Sequence, residues 1–402
     1  MRKILTYAVS VLALASCSSD SLVSDSPANT QAPIAFNAGQ KNITRAPFED
    51  SFENFRVWAY KYKTDESTST EVSAKVMDNY QVSYKKDDAN KTVWYYEGIN
   101  SQVLHYWDYS YDNTNFYAYA PYNADVTFDV VKKQIKVPAS VNTAGFSKAS
   151  DFVYAGKSVV KVKNDYNKSV ELNFKRLGAL VNLKFYTDIK GYKVELIDAN
   201  PAVPGSAIQA TPATYDENTT GEKYKLGSYY ASYEALIDFS TNASKPSVKT
   251  TGTPVQTNLK FDLLTDNTVP EAVETGSTQN YLKPATYYAV AQPTDSETGF
   301  TFHVSYKLTA NDNSEVITVR DARVFVPASV TDTTTNPATT TYIAAWQPNT
   351  QYTYTFKITT NTNGKTAEET IDLDDPSVPS AAGLYPIVFD NITIEEMNNV
   401  TY

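Results

Sequence analysis

The chain has little of the side-chain chemistry on which metal sites and covalent catalysis depend. Its 402 residues include one cysteine, Cys17, and two histidines, His105 and His303, which lie far apart in the sequence. A disulfide within the chain is therefore excluded, and Cys/His metal sites and Cys-His catalysis are nearly excluded. We expect no metal and no cofactor.

Positive charge is also scarce. The 35 Lys and Arg residues are outnumbered by 45 Asp and Glu residues, which gives a formal net charge of -10. No run of basic residues is interleaved with aromatic ones, so nucleic-acid binding is not expected. The share of hydrophobic residues, 42%, is typical of a globular protein.

The apolar run at the N-terminus is too short to span a bilayer. Residues 4–15 follow two basic residues and form a run of about a dozen, in the range of a secretory signal peptide, whereas a membrane helix needs about 20. The run ends at Leu14-Ala15-Ser16-Cys17, which resembles the lipobox of bacterial lipoproteins. We predict a lipoprotein signal peptide at residues 1–16 and lipidation of Cys17. The alternative is an ordinary signal peptide with an incidental cysteine.

Aromatic residues are abundant, and their pattern indicates strands. The sequence has 31 Tyr and 17 Phe, and no stretch keeps apolar residues at helical spacing for three turns. Short runs rich in β-branched and aromatic residues alternate with polar ones instead, as half-buried strands do. Strands are predicted at residues 55–62, 92–97, 116–120, 170–174, 179–186, 287–292, 300–308, 323–326 and 352–358.

Strands at this spacing without helical crossovers predict an all-β fold of two tandem antiparallel β-sandwich domains. The leader, residues 17–45, carries a first short strand. Residues 46–190 are assigned to the N-terminal sandwich, and residues 191–402 to the C-terminal one. Long loops are predicted in the second half, at residues 200–221, 242–254, 266–279 and 332–341.

Several short motifs resemble one family when they are taken together and in order. They are Ile-Ala-Phe-Asn-Ala at 34–38, Thr-Arg-Ala at 44–46, Phe-Arg-Val-Trp-Ala-Tyr at 55–60, Tyr-Trp at 106–107, Phe-Tyr-Ala-Tyr-Ala-Pro at 116–121, Asp-Phe-Val-Tyr-Ala at 151–155, Leu-Asn-Phe-Lys-Arg-Leu at 172–177 and Trp-Gln-Pro-Asn at 346–349. This set is similar to the fimbrillins, the major fimbrial subunits of type V pili in Bacteroidota. Arg176 departs from the family, which commonly has His there.

The resemblance implies a structural subunit of a surface pilus with adhesion as a further role, and no enzymatic activity. Its partners would be other pilin subunits, an Arg-specific protease, the lipoprotein export machinery and a host or bacterial surface ligand. The precursor would be an outer membrane lipoprotein, and the mature form would lie in surface fimbriae.

In the fimbrillin family an Arg-specific protease removes the lipidated leader together with its first strand. Here the corresponding bond joins Arg45 to Ala46, and Pro47 comes one residue too late to block it. Loss of a strand from a sandwich exposes an apolar groove with unpaired backbone groups, which another subunit can fill by donating a strand. The alternative is that Arg45 is an ordinary exposed residue of a linker.

The C-terminal segment is the predicted donor strand. Its apolar residues alternate with polar ones, as a strand that fills a groove requires; they include Tyr385, Ile387, Phe389, Ile392 and Ile394. The alternative is that the segment is the last strand of the second domain and is not exchanged. Both can hold, in the precursor and in the polymer respectively.

Two other functions compete with the pilin. A surface glycan-binding lipoprotein that keeps its anchor would need an exposed aromatic platform, and a glycosidase would need a facing pair of carboxylates. Asp151 has no second acid at a recognisable spacing and is expected to cap a turn. His303 is expected to be a strand residue. The tryptophans are expected to be core anchors rather than a sugar platform; they are Trp58, Trp94, Trp107 and Trp346.

Overall fold

The computed structural model describes a protein built almost entirely of strands. Strands account for 58% of the described residues and helix for 3%, which confirms the all-β prediction. Residues described are 32–37, 53–65, 67, 71–86, 92–147, 150–161, 165–197, 208–215, 224–226, 229–257, 259–261, 266–273, 277–284, 286–291, 298–334, 337–359 and 387–396. None of the helices in these ranges is long and apolar enough to cross a membrane.

The described residues of the first part of the chain include ten strands and two 3-10 helices. The strands are β1 Phe36–Asn37, β2 Asn54–Thr64, β3 Glu71–Lys86, β4 Thr92–Tyr95, β5 Asn113–Ala120, β6 Thr127–Asp129, β7 Gln134–Val137, β8 Val153–Val160, β9 Val170–Glu171 and β10 Lys175–Arg176. The 3-10 helices are Ile99–Ser101 and Asp165–Asn167.

The second part contributes fourteen further strands within the described ranges. They are β11 Ala179–Thr187, β12 Tyr192–Leu196, β13 Ile208–Tyr215, β14 Tyr224–Leu226, β15 Tyr229–Asp238, β16 Ser247–Thr257, β17 Leu259–Phe261, β18 Tyr287–Ala289, β19 Thr298–Ala310, β20 Val316–Val326, β21 Ser329–Asp332, β22 Thr339–Tyr342, β23 Thr350–Ile358 and β24 Ile387–Glu396.

A six-stranded antiparallel sheet in the order β10-β8-β5-β2-β3-β4 lies at the centre of the N-terminal half. Residues 114–120 of β5 are all buried, because both faces of this sheet are covered. Phe116 and Ala118 face a core that includes the leader segment. Tyr117 and Tyr119 face the opposite core, which the sheet β16-β15-β7-β6 completes. Residues 116–120 of the strand are therefore an unbroken apolar and aromatic run.

The C-terminal half is a second sandwich. One sheet has the order β18-β11-β23-β24, and the other is built on β12, β19, β13 and β20. Their inner faces share one core with Phe185, Phe302, Phe356 and Trp346 among its buried residues. The pairing of β11 with β23 is parallel, in contrast to the other pairs of this sandwich.

Strand pairing crosses the predicted domain division in two places. β11, on the N-terminal side of residue 190, pairs with β18 and β23. β15 and β16, on its C-terminal side, pair with each other, and β15 pairs with β7 of the first half. The division at residue 190 stays a prediction. The prediction of a loop at residues 242–254 is wrong, because β16 occupies much of that range.

Candidate functional site: the leader strand and its groove

Residues 32–37 of the leader lie in the N-terminal core, upstream of the predicted cleavage position. Ile34 is 2% exposed and Phe36 is 6% exposed, whereas the alternating neighbours Pro33 and Ala35 are exposed. The alternation is that of a strand with one face in a core. The segment is therefore an integral part of the folded precursor.

Backbone hydrogen bonds hold the leader segment from both sides. On one side β1 runs parallel to β9, and the Val170 amide donates to the Ala35 carbonyl at 2.7 Å. On the other side the Ile34 amide donates to His105 O at 2.8 Å, and the Trp107 amide donates to Ala32 O at 3.1 Å. The leader thus fills a slot between β9 and residues 105–107, which we call the leader groove.

A buried tyrosine joins the leader to the wall of the groove. The Tyr96 hydroxyl donates to the Ile34 carbonyl at 3.0 Å and accepts from the His105 amide at 3.1 Å. Burial raises the pKa of Tyr96 to about 12, so the hydroxyl keeps its proton at neutral pH. The same hydroxyl therefore stabilises both the leader segment and the chain that flanks it.

Aromatic rings form the floor of the leader groove. The ring of Phe36 meets Phe55, Tyr96 and Phe116 edge-on, at centroid distances of 5.7, 5.9 and 5.8 Å. Edge-to-face contacts of this kind add to the stabilisation from burial alone. Trp107 stacks on Tyr166 at 4.7 Å next to them. The pocket for Phe36 is therefore shaped for an aromatic side chain.

The C-terminal strand lies at the edge of the second sandwich. β24 pairs antiparallel with β23, and no other described strand pairs with it. Ile387 is buried, and Phe389 lies 6.1 Å from the ring of Phe356. Ile392 and Ile394 pack, partly buried, against the same core. Within the described residues, the predicted donor strand is the last strand and pairs within the second sandwich.

A β-bulge at Asp390 brings two apolar pairs of β24 onto one face. Phe389 is the partner of Phe356 and Asn391 is the partner of Thr355, so Asp390 is an extra residue. An extra residue changes the alternation of side chains. Ile387 and Phe389 therefore share a face with Ile392 and Ile394. The Asp390 carboxylate accepts a hydrogen bond from the Tyr186 hydroxyl at 3.1 Å.

The remaining predicted site residues lie outside the described residues. These are Cys17, Arg45, Ala46 and Tyr385, so lipidation and cleavage stay predictions. His303 lies in β19, as its sequence surroundings indicate.

Sequence reasoning missed the walls of the leader groove, His105, Trp107 and Val170. The Val170 strand was predicted, but nothing in the sequence indicated that its partner is the leader.

The four tryptophans are buried, which confirms their prediction as core anchors. Trp58, Trp94, Trp107 and Trp346 are at most 8% exposed. Trp346 Nε1 donates to the Tyr354 hydroxyl at 2.9 Å inside the C-terminal core. None of the four is available as a surface platform for sugar stacking.

Asp151 has a buried ionic partner. Arg176 Nε donates to its carboxylate at 2.7 Å, and the side chains are 1% (Arg176) and 9% (Asp151) exposed. The Arg176 amide also donates to Asn349 Oδ1 at 3.1 Å, and the Asn349 amide donates to Gly178 O at 2.8 Å. Three of the sequence motifs therefore meet at the junction of the two sandwiches. The role of Asp151 is to neutralise a buried guanidinium, which differs from the expected turn cap.

A Cβ atom at Gly178 would lie 2.0 Å from the Ala289 carbonyl oxygen. Glycine is therefore required for β18 to approach the chain between β10 and β11.

Within the described ranges, no group of three or more His, Cys, Asp or Glu side chains is arranged to hold a metal ion. The chemistry that the described site supports is the binding of a β-strand.

Comparison with known proteins gives matches of two kinds. A family model described as fimbrillin-like matches residues 44–372, and one described as a prokaryotic membrane lipoprotein lipid attachment site matches residues 1–18. No curated protein matches the chain at a significant level.

Among solved structures, a fimbrial protein from Bacteroides vulgatus is 14% identical with a TM-score of 0.44, over 82% of this chain and 96% of that one. A candidate cell adhesion protein from Bacteroides uniformis is 12% identical with a TM-score of 0.41, over 83% of this chain and 95% of that one. Another from Parabacteroides distasonis is 12% identical with a TM-score of 0.36, over 91% and 96%.

Proposed function

Because this chain belongs to the fimbrillin-like family, whose members are structural proteins rather than enzymes, we propose that it is a pilus subunit that polymerises by strand exchange after proteolysis at Arg45. Adhesion to a host or bacterial surface ligand is a further role. The observation that carries this proposal is the burial of residues 32–37 in the leader groove, because cleavage at Arg45 would disconnect this segment from the rest of the subunit.

Cleavage would turn a covalently attached strand into an exchangeable one. Arg45 lies eight residues beyond Asn37, so the whole leader segment is on the released side of the Arg45–Ala46 bond. Its departure would leave the Val170 and Trp107 amides and the His105 carbonyl without these strand partners. Each fully buried Ile or Phe contributes about 1.5–3 kcal/mol, so an emptied groove is unstable until another strand occupies it.

The strand that enters is supplied by the C-terminus of another subunit. β24 is an edge strand with apolar side chains on one face, which are the properties that strand addition requires. A subunit truncated after Gly383 would keep its groove and lack the donor. It should join the end of a polymer and stop further growth.

The anchor of the precursor is the acylated Cys17. The match to a lipid attachment site at residues 1–18 supports a membrane-anchored, surface-exposed lipoprotein. We assign the precursor to the outer membrane after passage through the lipoprotein export machinery, and the mature subunit to surface fimbriae.

The test is treatment of the purified precursor, as parent and as Arg45→Lys, with an Arg-specific protease. The variant keeps the positive charge and loses the specificity residue, so it is a matched control. The parent should give a new N-terminus at Ala46 by N-terminal sequencing and fibres by electron microscopy. Arg45→Lys should stay monomeric. Equal fibre formation by both proteins would contradict cleavage-dependent assembly and would favour a lipoprotein that keeps its anchor.

A further inference from the structure

The leader and the C-terminal strand share a short sequence. The leader has Pro33-Ile34-Ala35-Phe36-Asn37, and the C-terminal strand has Pro386-Ile387-Val388-Phe389-Asp390. Among the 19 prolines of the chain, these two are the ones followed by isoleucine. The two segments differ at two positions, where Val388 replaces Ala35 and Asp390 replaces Asn37, and they share the proline, the isoleucine and the phenylalanine at the same spacing.

The shared residues point the same way in their two present locations. Ile34 and Phe36 enter the N-terminal core, while Ala35 is exposed. Ile387 and Phe389 face the C-terminal core, while Val388 is 39% exposed. Both segments therefore present Ile and Phe, two residues apart, on one face. The two segments therefore present the same inward-facing side chains, at the same spacing, to a groove.

Resting on the proposed function, we propose that the occupant of the emptied leader groove is β24 of a second copy of this chain, in one register. Ile387 takes the place of Ile34, and Phe389 takes the place of Phe36. The partner is thus the same protein, and the chain forms a homopolymer.

The hydrogen bonds of the groove are compatible with this register. The position of Pro33 needs no amide hydrogen, and proline supplies none, so Pro386 loses nothing there. The next residue must donate to His105 O, as Ile34 does now at 2.8 Å, and the amide of Ile387 can do so. At the third position, where Ala35 stands now, the backbone carbonyl accepts a hydrogen bond from the Val170 amide. The side chain at this position is exposed, so its identity can vary.

The other apolar pair of β24 fits less well. If Ile392 and Ile394 entered the groove, isoleucine would stand where Phe36 meets three aromatic rings at 5.7–5.9 Å. An aliphatic side chain of smaller volume would leave part of that pocket empty, and residual cavities are destabilising. The aromatic pocket therefore selects the register that places Phe389 in it.

β24 can reach a second subunit without unfolding its own strand neighbour. Twenty-seven residues separate Thr359 from Ile387, and an extended chain spans up to about 3.3–3.6 Å per residue, or roughly 90 Å in total. Because β24 has one described strand partner, its release breaks its pairing with β23 and leaves the other strand pairs of that sheet in place. Since the same side chains bind in both locations, one strand occupies one of them at a time.

Charge distinguishes the two segments. Asn37 is the register partner of Glu171 in the parallel pair of β1 and β9. In the proposed register Asp390 would stand opposite Glu171, and like charges directly opposite each other weaken strand pairing. An Asp390→Asn change should therefore tighten binding in the groove by about twofold to fivefold.

Cysteine cross-linking tests the register. In a Cys17→Ser background, which contains no other cysteine, the pair Glu171→Cys and Asp390→Cys should give a disulfide-linked ladder after Arg-specific cleavage and mild oxidation. The pair Glu171→Cys and Glu395→Cys is the matched control, because Glu395 would stand opposite Glu171 if Ile392 took the place of Ile34. The pair Asn37→Cys and Glu171→Cys should cross-link within one chain before cleavage, which checks the geometry.

Binding of a labelled peptide of residues 384–396 to the cleaved chain gives a second measurement. Phe389→Ala in the peptide should weaken binding by at least about a hundredfold, whereas Ile394→Ala should have little effect. Fibres that cross-link through residue 395, or equal losses for both peptides, would overturn the register and leave strand exchange intact. Fibres that form without cleavage would overturn the proposed function instead. Failure of the unaltered peptide to bind would overturn the proposed occupant.

Discussion

Replacement of Phe36 by alanine in the uncleaved precursor measures how much the leader contributes to stability. The side chain is 6% exposed and meets three rings edge-on. Removal of a buried phenylalanine in such a setting costs about 3–5 kcal/mol. We therefore expect the free energy of unfolding of the N-terminal half to fall by about this amount.

The assay is urea unfolding followed by tryptophan fluorescence, since Trp58, Trp94 and Trp107 lie in the two N-terminal cores. Ala35→Ser is the matched control, because Ala35 is the exposed residue next to Phe36 in the leader segment and surface changes usually stay within about 0.5 kcal/mol. After cleavage and loss of the leader, the Phe36 variant and the parent become the same protein and must unfold alike. A loss below about 1 kcal/mol for Phe36→Ala, well under the range for a buried phenylalanine, would refute the placement of the leader in the groove.

Three further predictions concern other parts of the molecule. Asp151→Asn removes the negative charge beside a buried guanidinium and should lower the free energy of unfolding by about 3–5 kcal/mol, whereas Asp129→Asn, in an exposed pair with Lys132, should change it little in the same urea titration. Burial, together with the charge of Lys61, lowers the pKa of His105 from its ordinary value of 6.5. The unfolded chain then binds more protons below that value, so stability should fall as the pH drops from 6.5 to the lowered pKa, and His105→Gln should flatten this dependence. Cys17→Ser should abolish labelling with a radioactive fatty acid and reduce membrane retention, and unchanged labelling would contradict lipidation at this residue.

Several strands that line the cores could be predicted from the sequence, and some strands with many exposed side chains could not. The predicted runs at residues 55–62 and 352–358 correspond to β2 and β23. β3 was not predicted, although apolar and polar residues alternate along Glu71–Val76 and Asn79–Tyr84; among its described side chains Met77 and Val82 are buried, while Val72 and Tyr84 are exposed. β16 was missed because Ser, Thr and Lys give it the composition of a loop.

Only part of the candidate site can be compared with the sequence predictions. The C-terminal strand was expected from the alternation of Ile387 and Phe389 and is a strand in the structure, whereas cleavage at Arg45, which follows from the family resemblance, stays a prediction. The groove could not be predicted, because it is assembled from segments far apart in sequence, at Ile34, His105 and Val170. Pairing of that kind depends on the folded topology, which no local pattern encodes.

The bulge at Asp390 has a consequence for the mechanics of a fibre. A regular strand alternates without interruption, so a strand bound without the bulge turns Ile392 and Ile394 away when Ile387 and Phe389 face inward. The shared segment would then be about five residues, or roughly 17 Å. Each joint between subunits would be short, and it would depend on a few hydrogen bonds and two side chains. The tensile strength of the fibre would then be decided by how firmly one phenylalanine is held in its pocket.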